Sequence, residues 1–172
     1  MEKYLIMPYE NNILSLNAGD IVYITGELLV MRDAAHKKIY ELLSRGEKLP
    51  FDINGGLVYY MGPCPPKPGC ALGSAGPTTS KRMDAYTPAL MDRGLLGSIG
   101  KGGRSDAVRD AVKRNKGIYL TAIGGAGAYY SKTINSSEVI AFPELLSEAV
   151  RLISVENFPA VVAIDSKGDK IT

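Results

Sequence analysis

The sequence predicts an α/β fold, a mixed sheet with helices packed on it. Three observations point there: strand-like and helix-like segments alternate through the middle of the chain, both ends are rich in strands, and no internal repeat or linker divides the 172 residues. With 45% hydrophobic residues, a chain of this length buries one substantial core, so a single domain over 1–172 is expected.

The opening reads as extended chain. Asn12-Ile13-Leu14-Ser15-Leu16 alternates, Gly19-Asp20 is a turn, and Ile21 to Gly26 is a β-branched strand ending at its glycine, with Leu28 to Met31 available to continue the layer. From Arg32 the period changes: Ala35, Ile39, Leu42 and Leu43 recur at helical spacing, and Gly46 suits the position just past a helix end. Gly56 to Tyr60 is a short strand. It runs into Gly62-Pro63-Cys64-Pro65-Pro66-Lys67-Pro68-Gly69, where four prolines exclude helix and interior strand and stiffen the loop.

Gly73 to Asp84 joins small residues to a helix start that Thr78 or Thr79 caps; this helix is expected to stop before Pro88, with a further short turn through Leu90 and Met91. Gly94 to Ser105 reads as a very short strand and a glycine-rich turn. Ser105 then caps a helix whose apolar stripe is Ala107, Val108, Ala111 and Val112 and which Gly117 ends. Ile118 to Ile123 is the best central strand, Glu138 to Phe142 is another, and Pro143 to Glu148 is a short helix with proline near its start. Ala149 to Glu156 and Ala160 to Asp165 both alternate, which predicts an antiparallel pair turning at Asn157-Phe158-Pro159.

Composition excludes several classes. The formal charge is +2, from 20 basic and 18 acidic side chains, which speaks against a general polyanion binder, and the ten tyrosines are not interleaved with a basic patch, so nucleic acid is not an expected partner. No apolar stretch reaches the ~18 residues that cross a bilayer, and the expectation is a soluble cytoplasmic protein without a membrane segment. Cys64 and Cys70 are the only cysteines and His36 the only histidine. Zinc and iron-sulfur sites generally take four such ligands, so no metal site of the chain's own is expected.

Three positions share one format, a helix start with basic side chains nearby: Arg32, then Thr78-Thr79 with Arg82, then Lys101 with Arg104 and Ser105. Helix N-termini favour anions, and arginine grips a carboxylate with parallel hydrogen bonds, so three such starts around one crevice would suit a small dianion. Each member has a plainer reading. Arg32 and Asp33 can form a local ion pair, Arg82 can be a solvated helix charge, Lys101 can belong to a simple turn, and the threonines can be caps. Asp33 and His36, three apart, can meet on one helix face, or His36 can be an ordinary hydrogen-bonded side chain. The glycine clusters at 97–103 and 124–127 lack the strand, G-x-G-x-x-G, helix order of dinucleotide loops, and no P-loop is present.

The same residues carry a family resemblance. Arg32-Asp33-Ala34-Ala35-His36, Tyr59 to Gly69, Gly76-Pro77-Thr78-Thr79-Ser80-Lys81-Arg82-Met83-Asp84, Gly100-Lys101-Gly102-Gly103-Arg104-Ser105 and Ile123-Gly124-Gly125-Ala126 together resemble the C-terminal region of class I fumarate hydratases. They are equally similar to the separate beta subunits of fumarate hydratase and L(+)-tartrate dehydratase. The resemblance implies a swivelling β/β/α domain that closes over an alpha subunit, in a heterodimer or heterotetramer. That partner holds a [4Fe-4S] cluster not ligated by this chain, whose open iron acts as Lewis acid in the reversible elimination of water.

Carried over position by position, it implies Arg32, Arg82 and Lys101 as ligands of a dicarboxylate and Thr78 at the reacting carbon. Asp33, His36, Thr79 and Arg104 are implied as support, with Thr79 interchangeable with Thr78 at this stage. The sequence departs from the family pattern at Cys64, where a small residue other than cysteine is usual, and at Gly103, where asparagine is more common. Fumarate hydration is the leading expectation, tartrate dehydration the second, and a non-catalytic anion-binding or interaction protein the third.

Overall fold

The computed structural model describes residues 2–7, 11–62, 68, 73, 75–123 and 126–171. Its strands are β1 (Glu2–Met7), β2 (Ile21–Val30), β3 (Leu57–Tyr59), β4 (Gly97–Gly100), β5 (Ile118–Thr121), β6 (Ile134–Ala141) and β7 (Val150–Ile164). The helices are α1 (Asp33–Ser44), α2 (Thr87–Asp92), α3 (Asp106–Asn115) and α4 (Gly127–Thr133), with 3₁₀ turns at Asn11–Ser15, Ser80–Met83 and Pro143–Glu148. The seven strands form one mixed sheet in the order β1-β2-β3-β4-β5-β7-β6, and β7 also pairs with β2. That extra pairing closes β2, β3, β4, β5 and β7 into a partial barrel. Its β2-to-β5 wall is parallel and β7 is antiparallel to both neighbours. This is the mixed sheet with packed helices that the sequence pattern predicts, and it matches the swivelling-domain architecture that the family resemblance implies.

Alternation sorts the side chains. Val22, Ile24, Tyr59, Ile99, Leu120, Phe158 and Val162 belong to one buried cluster with Tyr130 of α4, while Leu29, Met31 and Val58 join Ala35 and Ile39 of α1 in a second. The third cluster lies under α3, whose Val108, Ala111 and Val112 are buried and whose Ala107, expected in the stripe, is exposed.

Several expectations change. The expected hairpin at Asn157-Phe158-Pro159 is instead one continuous 15-residue strand, β7. Against β2, two steps from Ile24 to Gly26 match three from Phe158 to Val155, so the irregularity is a β-bulge, with Asn157 at φ 51° and its N–H bonded to Thr25 Oγ1 (3.1 Å). Gly26 does not end β2. It sits at φ 125° with a Cβ position 2.0 Å from the Met7 carbonyl, so it lets β1 lie close while the strand runs on to Val30. The alternating Asn12 to Leu16 segment is mostly a 3₁₀ turn. Pro88 lies in the first turn of α2 rather than after a helix, because a missing N–H costs nothing there. α3 ends on Lys116 in the left-handed conformation, not on a glycine; Gly117 is required next to it because a Cβ would lie 2.2 Å from the Leu96 carbonyl. α4 has no counterpart in the sequence reading.

Candidate active site at the mouth of the barrel

Register brings the basic residues together. Val30, Tyr59 and Ile99 are paired across β2, β3 and β4, and Arg32, Met61 and Lys101 each stand two residues further on, at the carboxyl ends of three neighbouring parallel strands. Between the extensions of β3 and β4 runs a strand-like segment. Met61 bridges Pro77 and Thr79 bridges Lys101; the Thr78 N–H donates to the Tyr60 carbonyl (2.8 Å), Lys101 N–H to Thr78 O (3.2 Å) and Ser80 N–H to Lys101 O (3.0 Å). Thr78 is thereby held by backbone bonds between the Arg32 and Lys101 strand ends.

The side chains complete this arrangement. Arg82 Nε donates to Asp33 Oδ1 (3.1 Å) and its Nη2 to Thr78 Oγ1 (2.8 Å), so Asp33, Thr78 and Arg82 form one contact group. Arg32 lies over Gly62, where a Cβ would fall 2.4 Å from its Nη1, and its buried Nε has no hydrogen-bond partner among the described residues. Lys101 is exposed. Of the three cations only Arg82 has a carboxylate in contact; among the described residues Arg32 and Lys101 have none. Two positive charges without a carboxylate partner among the described residues, at strand ends on either side of the segment that carries Thr78, suit a small dianion.

The helix-start reading is corrected. The N-terminus of α1 is already occupied, since Ala34 N–H donates to Glu148 Oε1 (3.3 Å), and that of α3 is capped by Ser105 Oγ, which accepts from Val108 N–H (3.3 Å). The segment after Thr79 is a 3₁₀ turn without a side-chain cap. Side chains, rather than helix amides, make the site. Asp33 and His36 do not meet either: His36 Nδ1 faces the Arg32 carbonyl (2.7 Å), which only accepts, so the ring nitrogen carries the proton and braces the Arg32 backbone. The ring is fully buried against Tyr60, and burial pushes its pKa down to about 4, which keeps it neutral at pH 7.

Arg104 lies beneath the site, with no exposed side-chain surface. Its Nε donates to Asp84 Oδ1 (2.6 Å), Nη1 to Ser98 Oγ (2.8 Å) and Nη2 to Thr87 Oγ1 (2.7 Å). Asp84, Ser98 and Thr87 were missed by sequence reading; the signal available was only that Asp84 closes the motif that carries Arg82. A cavity of about 450 Å³ lined by Arg104, Arg109, Tyr119, Ile164 and Lys170 touches none of Arg32, Thr78, Arg82 or Lys101. Cys64, Cys70, Gly124 and Gly125 lie outside the described residues.

Among the described residues no group of three His, Cys, Asp or Glu side chains is placed to hold a metal ion. A [4Fe-4S] cluster does not fit the chain's own donors: the sequence holds two cysteines and one histidine, and that histidine is buried with Nδ1 committed to Arg32. The fold and site thus define an α/β barrel domain with basic side chains at the carboxyl ends of its parallel strands.

Comparison with known proteins gives the family. The family model described as Fumarase C-terminus matches residues 5–172, and the chain belongs to that family. It is 44% identical over 153 residues to fumarate hydratase 2 of Leishmania major, covering 88% of this chain and 27% of that protein. It is 43% identical over 148 residues to the aerobic class I fumarate hydratase of Escherichia coli K12, covering 85% and 27%. It is also 36% identical over 168 residues to a putative L(+)-tartrate dehydratase subunit beta of Methanocaldococcus jannaschii, covering 94% of this chain and 86% of that one. The chain therefore spans about a quarter of the length of the two fumarate hydratases.

Proposed function

We propose that this chain is the small subunit of a two-subunit hydro-lyase that hydrates fumarate to L-malate reversibly, and that its basic mouth holds the substrate's carboxylates. The observation that carries this reading is the register that sets Arg32 and Lys101, both without a carboxylate partner among the described residues, at the ends of β2 and β4, with Thr78, bonded by Arg82, held between those strand ends. A second chain completes the mouth, in keeping with the near-complete match to a protein named as a subunit beta. The iron-sulfur cluster belongs to that alpha subunit. No described helix is long and apolar enough to cross a membrane, and the proposed setting is the cytoplasm.

Each residue has a task in this reading. Arg32 takes one carboxylate, with its guanidinium seated on Gly62 and its backbone braced by His36. Lys101 takes the other as a mobile point charge, and Arg82 supplies a second guanidinium contact. Arg82 Nη2 already donates to Thr78 Oγ1, so the threonine's own proton points elsewhere and its oxygen is a poorer base. Thr78 then serves as a polarised hydroxyl beside the carbon that gains or loses a proton, alongside a carboxylate of the partner. L(+)-tartrate is the second substrate reading, favoured by the name of the Methanocaldococcus relative. It is a four-carbon dicarboxylate that the same clamp accepts.

Arg32 and Lys101 give a direct test. In the complex, Arg32→Met and Lys101→Met each raise KM for the dicarboxylate by about 10- to 100-fold, since a hydrogen bond to a charged group contributes roughly 1.5–3 kcal/mol. Steady-state kinetics under anaerobic conditions checks this; unchanged KM in both variants removes these residues from the site.

A further inference from the structure

We propose that Asp84 and Arg104 form a largely buried positioning pair that sets the spacing between Arg82 and Lys101, an inference resting on the reading that those two cations hold substrate. Asp84 stands two residues after Arg82, and Arg104 three after Lys101. Their ion pair (2.6 Å) therefore joins the turn that carries Thr78 and Arg82 to the turn that carries Lys101. The other Asp84 oxygen, Oδ2, accepts from Ser105 N–H (2.8 Å) at the start of α3. Arg104 also donates to Ser98 of β4, three residues before Lys101, to Thr87 of α2 and, at 3.4 Å, to the Tyr60 hydroxyl. Its guanidinium is also held between the rings of Tyr60 and Tyr119, 5.3 and 4.9 Å from their centroids.

A second tie runs in parallel. The Tyr119 hydroxyl donates to the Gly102 carbonyl (2.7 Å) and bonds Ser80 Oγ (2.9 Å), linking the same two turns. The Lys101 turn gains from such ties because little packs against it: among the described residues a Cβ on Gly102 or Gly103 would touch nothing within 4 Å. An ion pair removed from water is weak as a stabiliser, because apolar side chains of similar volume serve a core equally well. Its geometry is what apolar residues cannot reproduce, since only the guanidinium fork reaches Asp84, Ser98 and Thr87 at once.

The test uses the complex with its cluster-bearing partner, comparing wild type with Asp84→Leu/Arg104→Met, Arg104→Lys and Ser98→Ala, by melting temperature, anaerobic kinetics and amide hydrogen exchange. The double variant, which trades the pair for apolar packing, is expected to raise KM by about tenfold or more with kcat changed less than about threefold. Exchange at the Ser80 and Lys101 amides, which bond Lys101 O and Thr78 O, rises with it. Arg104→Lys keeps the charge but loses the fork and raises KM similarly, and Ser98→Ala, which leaves the pair intact, serves if the double variant does not fold and shows a smaller rise. A folded double variant with wild-type KM and wild-type exchange overturns the proposal. If the wild-type complex turns over no dicarboxylate, the substrate reading fails instead, and the two amides still decide whether the pair fixes the turns: unchanged exchange refutes it.

Discussion

Replacing Arg82 by methionine is expected to lower kcat/KM of the complex by about 10³ while costing no more than about 1 kcal/mol of stability. The two effects separate because of where the side chain sits. Arg82 and Asp33 are 49% and 41% exposed, so their ion pair is screened and contributes little to folding. At the site the same guanidinium serves twice, as a carboxylate contact and as the donor to Thr78 Oγ1. Losing two charge-assisted hydrogen bonds, at roughly 1.5–3 kcal/mol each, accounts for the thousandfold loss, and Asp33 is left unpaired where an anion must bind. Kinetics together with a thermal melt checks both halves. A loss below about tenfold places Arg82 outside the substrate site.

Phe158→Ala is expected to destabilise the domain by about 3–5 kcal/mol, a fall in melting temperature of roughly 10 °C. Phe158 is fully buried and packs edge-on against Tyr59 (centroids 5.0 Å) and face-on against Tyr130 (4.6 Å), so truncation opens a cavity where β3, α4 and β7 meet. At the tip of a solvent-exposed hairpin, as the sequence alone suggests, the same substitution would be within about 0.5 kcal/mol of neutral. Thermal or denaturant unfolding distinguishes the two topologies, and a neutral result would contradict the continuous β7.

That contrast shows where local reading stops. Asn157-Phe158-Pro159 has turn chemistry, and nothing within ten residues reveals that Asn157 is spent on a bulge and Phe158 on the interior. The pairing with β2, more than a hundred residues away in sequence, decides it. Gly26 is similar, since the Met7 carbonyl that requires a glycine there belongs to another strand. By contrast, α1, the Ser105 cap and β5 rest on neighbours close in sequence, and periodicity and capping chemistry were enough to place them.

The candidate site divides along the same line. Arg32, Thr78, Arg82 and Lys101 stand out by residue type and by the motifs that carry them, and the structure draws their chain segments to one mouth. Their contacts were not legible: Asp33 bonds Arg82 rather than His36, and Glu148, more than a hundred residues on, takes an amide at the α1 start, which residue types alone leave open to an anion. Arg104 carries a conspicuous charge next to the Lys101 turn. Its burial became visible only when β4, α2 and Asp84 were assembled around it.

The central claim is that this chain supplies one half of a dicarboxylate site. It is tested most directly by adding the purified chain back, in graded amounts and without oxygen, to its cluster-bearing partner and measuring turnover of fumarate, L-malate and L(+)-tartrate. Neither chain alone is expected to turn over substrate, and activity is expected to rise with added chain and saturate at a fixed stoichiometry. Full activity of the partner without this chain, or none at any ratio with the cluster intact, would contradict the claim.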